Sequence, residues 1–236
     1  MHCLVDFDNI PHEIRKWGVE HIVRRVVQTV EPHLPTLHCD FRVRLYGGWF
    51  EAGFLTKSAQ LTQAQIDAIS PLVILRSDGS HLGLARLELA RTLLIDPSTT
   101  ITHTFRRKGA PSGLQCERRP WINCAESRSC PLAAVQEFLS QDICPNDRCA
   151  VGPEDILFKQ EQKMVDTMLV ADVIHLANEN KEPIVVISSD DDLWPGVYSA
   201  VLLGQQVLHV RTKSTTSPLQ LFKRLKNNLY KSVAIT

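Results

Sequence analysis

Apolar residues fall along this chain in two alternating patterns, short continuous runs and longer stretches with helical spacing. The short runs predict buried strands, which we place at His2–Phe7, Leu72–Leu75, Ile184–Ser188 and Gln206–Arg211. Alternation of apolar and polar residues predicts a strand at Phe41–Trp49, and β-branched residues indicate one at Thr100–Arg107. Apolar residues that recur every three or four positions predict helices, which we place from Pro11 to Pro32 and at Gln63–Ile69, Leu82–Ile95, Phe158–Asn178, Val197–Leu203 and Pro218–Tyr230. Strands that alternate with helices predict an α/β fold with a mainly parallel sheet covered by helices on both faces.

The regular alternation stops between Lys108 and Pro153, where only a short helix at Ala133–Leu139 is predicted. We interpret residues 108–153 as a Cys-rich insertion within a single domain that spans residues 1–236. Its cysteines, separated by 7, 5, 13 and 4 residues, are Cys116, Cys124, Cys130, Cys144 and Cys149. Only the last spacing is typical of a structural zinc site. Zinc held by four of the five would stabilise a segment with few apolar residues, and the alternative is a loop of unpaired thiols.

The N-terminus carries a charged residue at Asp6, so no apolar run there is suited to be a signal peptide. No stretch approaches the ~20 apolar residues that a membrane-spanning helix needs. We therefore expect a cytoplasmic protein with no membrane partner, in which the cysteines are thiols or metal ligands rather than disulfides. Basic and acidic residues both number 26, so the net charge gives no indication of a partner. Their distribution is more informative, because an acidic segment from Glu154 to Asp192 is followed by a tail without any acidic residue.

Two predicted strands end in carboxylates. The end of the first strand supplies Asp6 and Asp8. The end of the later strand supplies Ser188, Asp190 and Asp192. In an open parallel sheet, functional groups gather beyond the carboxyl ends of the strands. Carboxylates packed together repel one another unless a cation neutralises them, and oxygen ligands of this kind favour Mg²⁺ or Mn²⁺ over zinc.

The helix predicted at Phe158–Asn178 adds Asp166 and Asp172. These two residues are six positions apart, or about 240° around a helix, so they do not share a face. Only one of them can point straight into a site at the edge of the sheet. Asp166 is closer to the helix start, where the helix dipole favours a negative charge.

Four segments together resemble the NYN branch of the PIN-like nuclease superfamily. They are Leu4–Ile10, Arg44–Trp49, Lys163–Asp166 with Asp172 after it, and Ser188–Pro195. Their order and spacing are similar to those of the family over residues 1–50 and 158–210. The departures are Ser189, which stands where the family has a small glycine, and Asp191, which adds a third consecutive carboxylate.

The resemblance implies a Rossmann-like PIN fold that uses Mg²⁺ or Mn²⁺ and cleaves RNA. Residue by residue, it implies that Asp6, Asp166, Asp190 and Asp192 are catalytic and metal-binding, that Asp172 is a further metal ligand, and that Asn9, Lys163 and Ser188 support the site.

Several basic residues are candidate phosphate contacts on an RNA partner, with DNA not excluded. They are Arg106, Arg107, Lys108, Lys223, Arg224 and Lys226. The last helix also has an apolar stripe that packs on the sheet or forms a homodimer contact.

Two alternatives to the nuclease remain open. One is a nucleic-acid-binding module that has the fold without catalysis. The other is a phosphatase of the haloacid-dehalogenase type, which also begins with Asp-x-Asp at a strand end. That class expects threonine or valine two residues after the second aspartate, where this chain has Ile10.

Overall fold

The structure is a computed structural model that describes residues 1–33, 40–75, 79–108, 117, 130–179, 182–213 and 228–235. The strands are β1 (His2–Asp6), β2 (Phe41–Tyr46), β3 (Phe50–Glu51), β4 (Phe54–Leu55), β5 (Leu72–Leu75), β6 (His81–Leu89), β7 (Phe105–Lys108), β8 (Lys159–Gln162), β9 (Ile184–Ile187), β10 (Val207–Arg211) and β11 (Tyr230–Ala234). The helices are α1 (His12–Arg15), α2 (Val19–Val30), α3 (Lys57–Ile69), α4 (Leu132–Gln141), α5 (Pro153–Ile156), α6 (Val165–Glu179) and α7 (Trp194–Leu202).

Seven strands form the main sheet, in the order β11-β10-β9-β1-β2-β6-β5. Neighbouring strands run parallel throughout, except that β5 at one edge pairs antiparallel with β6. The prediction of an α/β fold with a mainly parallel sheet is therefore confirmed. Because β1 lies between β9 and β2, the carboxyl ends of these three strands lie side by side.

Both faces of the sheet are covered, which explains the continuous apolar runs of its central strands. Cys3 and Val5 of β1 belong to a core that includes the buried residues of α2 and α3. Leu4, which points to the other face, belongs to a second core with the buried residues of α6 and α7. Side chains of a strand alternate between faces, so Asp6 lies on the same side as Leu4 and α6.

The segment predicted as one helix from Pro11 is two helices. Gly18 separates α1 from α2 with a φ of 90°, a left-handed conformation that a glycine adopts without steric cost. Trp17, which lies within the range of the predicted helix, falls between α1 and α2 and is 67% exposed.

The prediction of a helix at Leu82–Ile95 was wrong, because the segment up to Leu89 belongs to strand β6. The misleading signal was its content of alanine, leucine, arginine and glutamate, which are good helix formers. Its burial nevertheless alternates, with Ala85, Leu87 and Leu89 buried and Arg86 and Glu88 exposed. This period of two is the pattern of a strand, and it fits the place of β6 between β2 and β5.

Smaller differences concern element boundaries. The helix α6 begins at Val165 rather than near Phe158, since β8 precedes it. Within Thr100–Arg107 the strand begins only at Phe105. Most of the helix predicted at Pro218–Tyr230 lies outside the described residues, and Tyr230 begins the unpredicted edge strand β11. The short helix predicted at Ala133–Leu139 is present as α4.

The chain divides into two compact units. The first contains residues 1–105 and 162–236, and the second contains residues 106–161. The second unit has bounds close to those of the predicted insertion. Among the described residues, none of the helices has the length and apolar character needed to cross a bilayer.

Candidate metal centre

The ends of β1 and β9 are joined by a buried hydrogen bond between their polar side chains. Ser188 Oγ donates to Asp6 Oδ2 at 2.8 Å. The same hydroxyl oxygen accepts a hydrogen bond of 3.0 Å from the backbone amide of Asp190. Asp6 is 4% exposed and Ser188 is fully buried. Ser188 therefore links the first aspartate to the turn that carries the next ones.

Asn9 and Thr212 hold this turn from the other side. Asn9 Oδ1 accepts hydrogen bonds from the Ser189 backbone amide, at 3.0 Å, and from the Thr212 hydroxyl. The backbone amide of Asn9 donates to Asp6 Oδ1 at 3.2 Å, and that of Lys213 donates to Ser189 Oγ at 2.9 Å. The turn after β9 is thus fixed by residues that follow β1 and β10, and the predicted supporting role of Asn9 has a structural counterpart here.

Asp190 begins a short 3-10 turn, Asp191–Leu193, and its Oδ1 accepts a hydrogen bond of 3.0 Å from the Asp192 backbone amide. This capping bond places the side chains of Asp190 and Asp192 close together. Asp166, in the first turn of α6, brings a third carboxylate. One oxygen from each of these three residues lies within 4.8 Å of the others. This group, Asp166, Asp190 and Asp192, is the carboxylate cluster.

Burial and neighbouring charges disfavour the ionised form of the carboxylates at this edge of the sheet. Burial raises the pKa of Asp166, and the neighbouring charges of Asp190 and Asp192 raise it further. Burial also raises the pKa of Asp6 to about 6, and the charge of Asp166 raises it as well, whereas the Ser188 hydrogen bond acts to lower it. A bound cation would relieve both effects.

The predicted aspartates are therefore only partly brought together. Asp166, Asp190 and Asp192, from two separate chain segments, form the carboxylate cluster, whose oxygens are ligands that a hard cation prefers. Asp6 lies close enough for the charge of Asp166 to raise its pKa, but it is not one of the three residues whose oxygens lie within 4.8 Å of one another.

The prediction that Asp172 is a metal ligand is not supported, because its carboxylate is occupied elsewhere. Asp172 is fully buried. Its Oδ2 accepts a hydrogen bond of 2.6 Å from the Tyr46 hydroxyl and forms an ion pair of 3.1 Å with Arg44 Nε. Its Oδ1 accepts a hydrogen bond of 2.7 Å from the Leu94 backbone amide. The six-residue offset from Asp166 points it to this buried network instead of the cluster.

Asp8 and Lys163 also lie near the strand ends, and each makes contacts of its own. Asp8 forms an ion pair of 3.1 Å with Arg15 and accepts a hydrogen bond of 3.2 Å from the Gly48 backbone amide. The Gln162 side chain also donates to Asp8. Lys163, predicted to support the site, lies two positions before α6, and its backbone amide donates a hydrogen bond of 3.0 Å to the Thr104 carbonyl.

The second unit leaves the zinc prediction open. Cys130, Cys144 and Cys149 are free and partly exposed. Within the described residues, these three do not join any group of metal-ligating side chains. Cys116 and Cys124 lie outside the described residues.

The predicted phosphate contacts are equally untested by the structure. Arg106 forms an ion pair of 3.0 Å with Glu161. The side chains of Arg107 and Lys108, and all of Lys223, Arg224 and Lys226, lie outside the described part of the chain.

The sequence did not single out two residues of this region. Thr212 and His209 lie on or after β10, a strand that the sequence singled out only for its apolar run. His209 Nε2 contacts the Ser188 carbonyl at 2.9 Å, and Nδ1 contacts the Tyr230 hydroxyl at 3.0 Å. Burial lowers the pKa of His209 to about 4, so the ring is neutral and supports the turn through its hydrogen bonds. A histidine and a threonine at the end of a strand next to β9 were the available signal.

Comparison with protein-family models, with curated proteins and with solved structures found no match for this chain.

Proposed function

We propose that this chain is a metal-dependent nuclease of the PIN-like NYN type that hydrolyses phosphodiester bonds in RNA. The observation that carries the proposal is the carboxylate cluster, in which Asp166 and the pair Asp190 and Asp192 come from different segments to within 4.8 Å. It lies beyond the carboxyl ends of parallel strands, where α/β sheets hold their functional groups. The motif resemblance supports the choice of nuclease within this class of sites.

The donor set of the cluster fits Mg²⁺ or Mn²⁺. All three side chains offer carboxylate oxygens, which are the ligands that these hard cations prefer. The raised pKa values of Asp166 and Asp6 support the same fit, because burial and neighbouring carboxylates make the ionised forms costly and a cation would lower that cost. When bound, such an ion polarises a phosphoryl oxygen and lowers the pKa of a coordinated water.

The protein's own residues divide into two roles. Asp166, Asp190 and Asp192 would hold the ion. Asp6, whose pKa is about 6, is largely ionised at neutral pH and can accept a proton from an attacking water. Its two oxygens already accept hydrogen bonds from Ser188 and from the Asn9 amide, so its orientation is fixed while each oxygen keeps a lone pair for substrate or ion.

The test is cleavage of labelled single-stranded RNA and single-stranded DNA of the same sequence, with Mg²⁺ or Mn²⁺ and with chelator. The Asp190→Asn variant should lose activity by at least about 100-fold, as expected for loss of a metal ligand. Asp191→Asn is the matched control, since Asp191 is an exposed carboxylate of the same turn outside the cluster. Cleavage that survives both chelator and Asp190→Asn would reject the proposal.

The same experiment separates the two alternatives. A binding module without catalysis would bind RNA but leave it intact with either ion. A phosphatase of the haloacid-dehalogenase type would hydrolyse a small phosphate monoester, which the nuclease would leave intact.

A further inference from the structure

Two aromatic side chains are stacked at the start of α7, directly after the carboxylate cluster. The ring centroids of Trp194 and Tyr198 are 5.1 Å apart, and their planes are inclined by 18°. Tyr198 is 41% exposed, and Leu202, one turn further along, is 69% exposed. Residues four positions apart share one face of a helix. Trp194, Tyr198 and Leu202 therefore form one apolar row, which we name the aromatic strip.

We infer that the aromatic strip binds unpaired nucleobases of the substrate, with the Tyr198 ring stacking on a base. The inference rests on the proposed nuclease function, and it specifies the substrate as single-stranded nucleic acid. Inside a duplex each base is stacked on its neighbours, so aromatic side chains stack on the bases of loops, bulges and single strands.

The distance between the cluster and Tyr198 suits this arrangement. Tyr198 follows Asp192 by six positions, which corresponds to about 9–10 Å along the helical axis. Stacked nucleotides rise by roughly 3.4 Å each, so a base two or three nucleotides from a phosphate at the cluster reaches Tyr198. A strand that runs from the carboxylate cluster along α7 would therefore bring bases to the strip.

The size and charge of the strip favour a base over a protein partner. A large aromatic side chain covers ~150–250 Å² when fully buried, so three partly exposed side chains offer roughly 300 Å². A stable protein interface needs about 800 Å² from each partner. The helix α7, WPGVYSAVL, has no charged residue, so it offers phosphates no ion pair and offers bases a flat apolar surface.

The experiment is a fluorescence-anisotropy titration of the full chain with a labelled single-stranded RNA, an abasic strand of equal length and a duplex. Ca²⁺ replaces Mg²⁺, and a gel confirms that the strands stay intact. The variants are Tyr198→Ala, which removes the ring, and Tyr198→Phe, which keeps it. Unfolding curves check that both variants fold, and Tyr198→Ala should be slightly less stable than the wild type because it loses the contact with Trp194.

We expect Tyr198→Ala to weaken binding of the single strand by roughly 5- to 100-fold, and Tyr198→Phe to bind like the wild type. The wild type should bind the abasic strand and the duplex as weakly as Tyr198→Ala binds the single strand. Equal binding by wild type and Tyr198→Ala would overturn the inference. So would equal binding of base-containing and abasic strands by the wild type.

Sedimentation velocity on the same proteins tests the other occupant of the strip, a second copy of the chain. A wild-type dimer that Tyr198→Ala converts to monomers would overturn the inference in favour of self-association. The outcomes also separate the two proposals. RNA cleavage that Tyr198→Ala leaves unchanged rejects stacking alone, whereas ring-dependent binding without any cleavage rejects the nuclease alone.

Discussion

Asn9 and Ser189 lie 180 positions apart in the sequence, and Asn9 Oδ1 accepts a hydrogen bond of 3.0 Å from the Ser189 backbone amide. The same oxygen accepts a hydrogen bond from the Thr212 hydroxyl. Thr212 Oγ1 also lies at hydrogen-bonding distance, 3.1 Å, from Ser189 Oγ. Three strand ends are therefore tied together behind the turn that carries Asp190. These neutral polar groups therefore help to fix the position of the carboxylate cluster.

Replacing Thr212 with valine should destabilise the protein by about 1 kcal/mol, because it removes the hydrogen bond from the buried Thr212 hydroxyl to the half-buried Asn9 side chain. Thr212 is 2% exposed, so water cannot readily replace the lost group. Thr212→Ser keeps the hydroxyl and should lose less. Urea unfolding of the three proteins measures the difference, and a serine variant that is less stable than the valine variant would contradict this role.

The two aspartates of α6 provide a matched pair of substitutions. Asp172→Asn should destabilise the protein by about 3–5 kcal/mol, because it leaves the buried Arg44 without one of its charged partners. Asp166→Asn removes a carboxylate that is repelled by Asp190 and Asp192, so it should preserve or raise stability while weakening metal binding. Unfolding curves and Mn²⁺ titrations of both variants test this division. Equal losses of stability would show that it is wrong.

The sequence predicted the parallel sheet because its central strands are continuous apolar runs, which need burial on both faces. The prediction from sequence was wrong at β6, because its residue types favour a helix. Its alternating pattern became a strand because β6 pairs with neighbouring strands, and this context cannot be read from the segment alone. The aspartates after β1 and β9 could be predicted to meet because parallel strands end at one edge. The role of Asp172 could not, since it depends on Arg44 and Tyr46 from β2, and no local pattern indicates which helix face meets which strand.

His209 should make the protein sensitive to acid. Its pKa is lowered by burial to about 4, from an ordinary value of 6.5, so the unfolded chain binds the proton first as the pH falls. Its contribution to stability is therefore present above pH 6.5 and is lost as the pH falls toward 4, by up to about 3 kcal/mol.

The measurement is the unfolding free energy of wild type and His209→Gln across this range. Comparison with the variant is needed because the raised pKa of Asp6 acts in the opposite direction over nearly the same interval. The difference in stability between wild type and variant should shrink as the pH falls. A difference that is constant with pH would contradict a buried neutral histidine.

Metal binding should depend on pH through Asp6. Because its pKa is about 6 in the free protein, protons compete with a cation below that pH, and the ionised fraction falls roughly tenfold between pH 7 and pH 5. Mn²⁺ affinity should fall over the same interval, because protonation of Asp6 removes a negative charge beside the carboxylate cluster and the pKa of Asp166, a proposed ligand, is also raised. The Asp6→Asn variant should show a shallower dependence. The same slope in both proteins would exclude Asp6 from the ion's surroundings.

The most direct test of the carboxylate cluster is a Mn²⁺ titration at pH 7.5, by calorimetry or electron paramagnetic resonance, of wild type, Asp190→Asn and Asp191→Asn. The two variants differ by one position in the same turn and remove the same charge. We predict that Asp190→Asn weakens binding by at least about tenfold while Asp191→Asn binds nearly as the wild type does. Equal affinities in all three proteins, or no binding by the wild type, would contradict a shared cation at Asp166, Asp190 and Asp192.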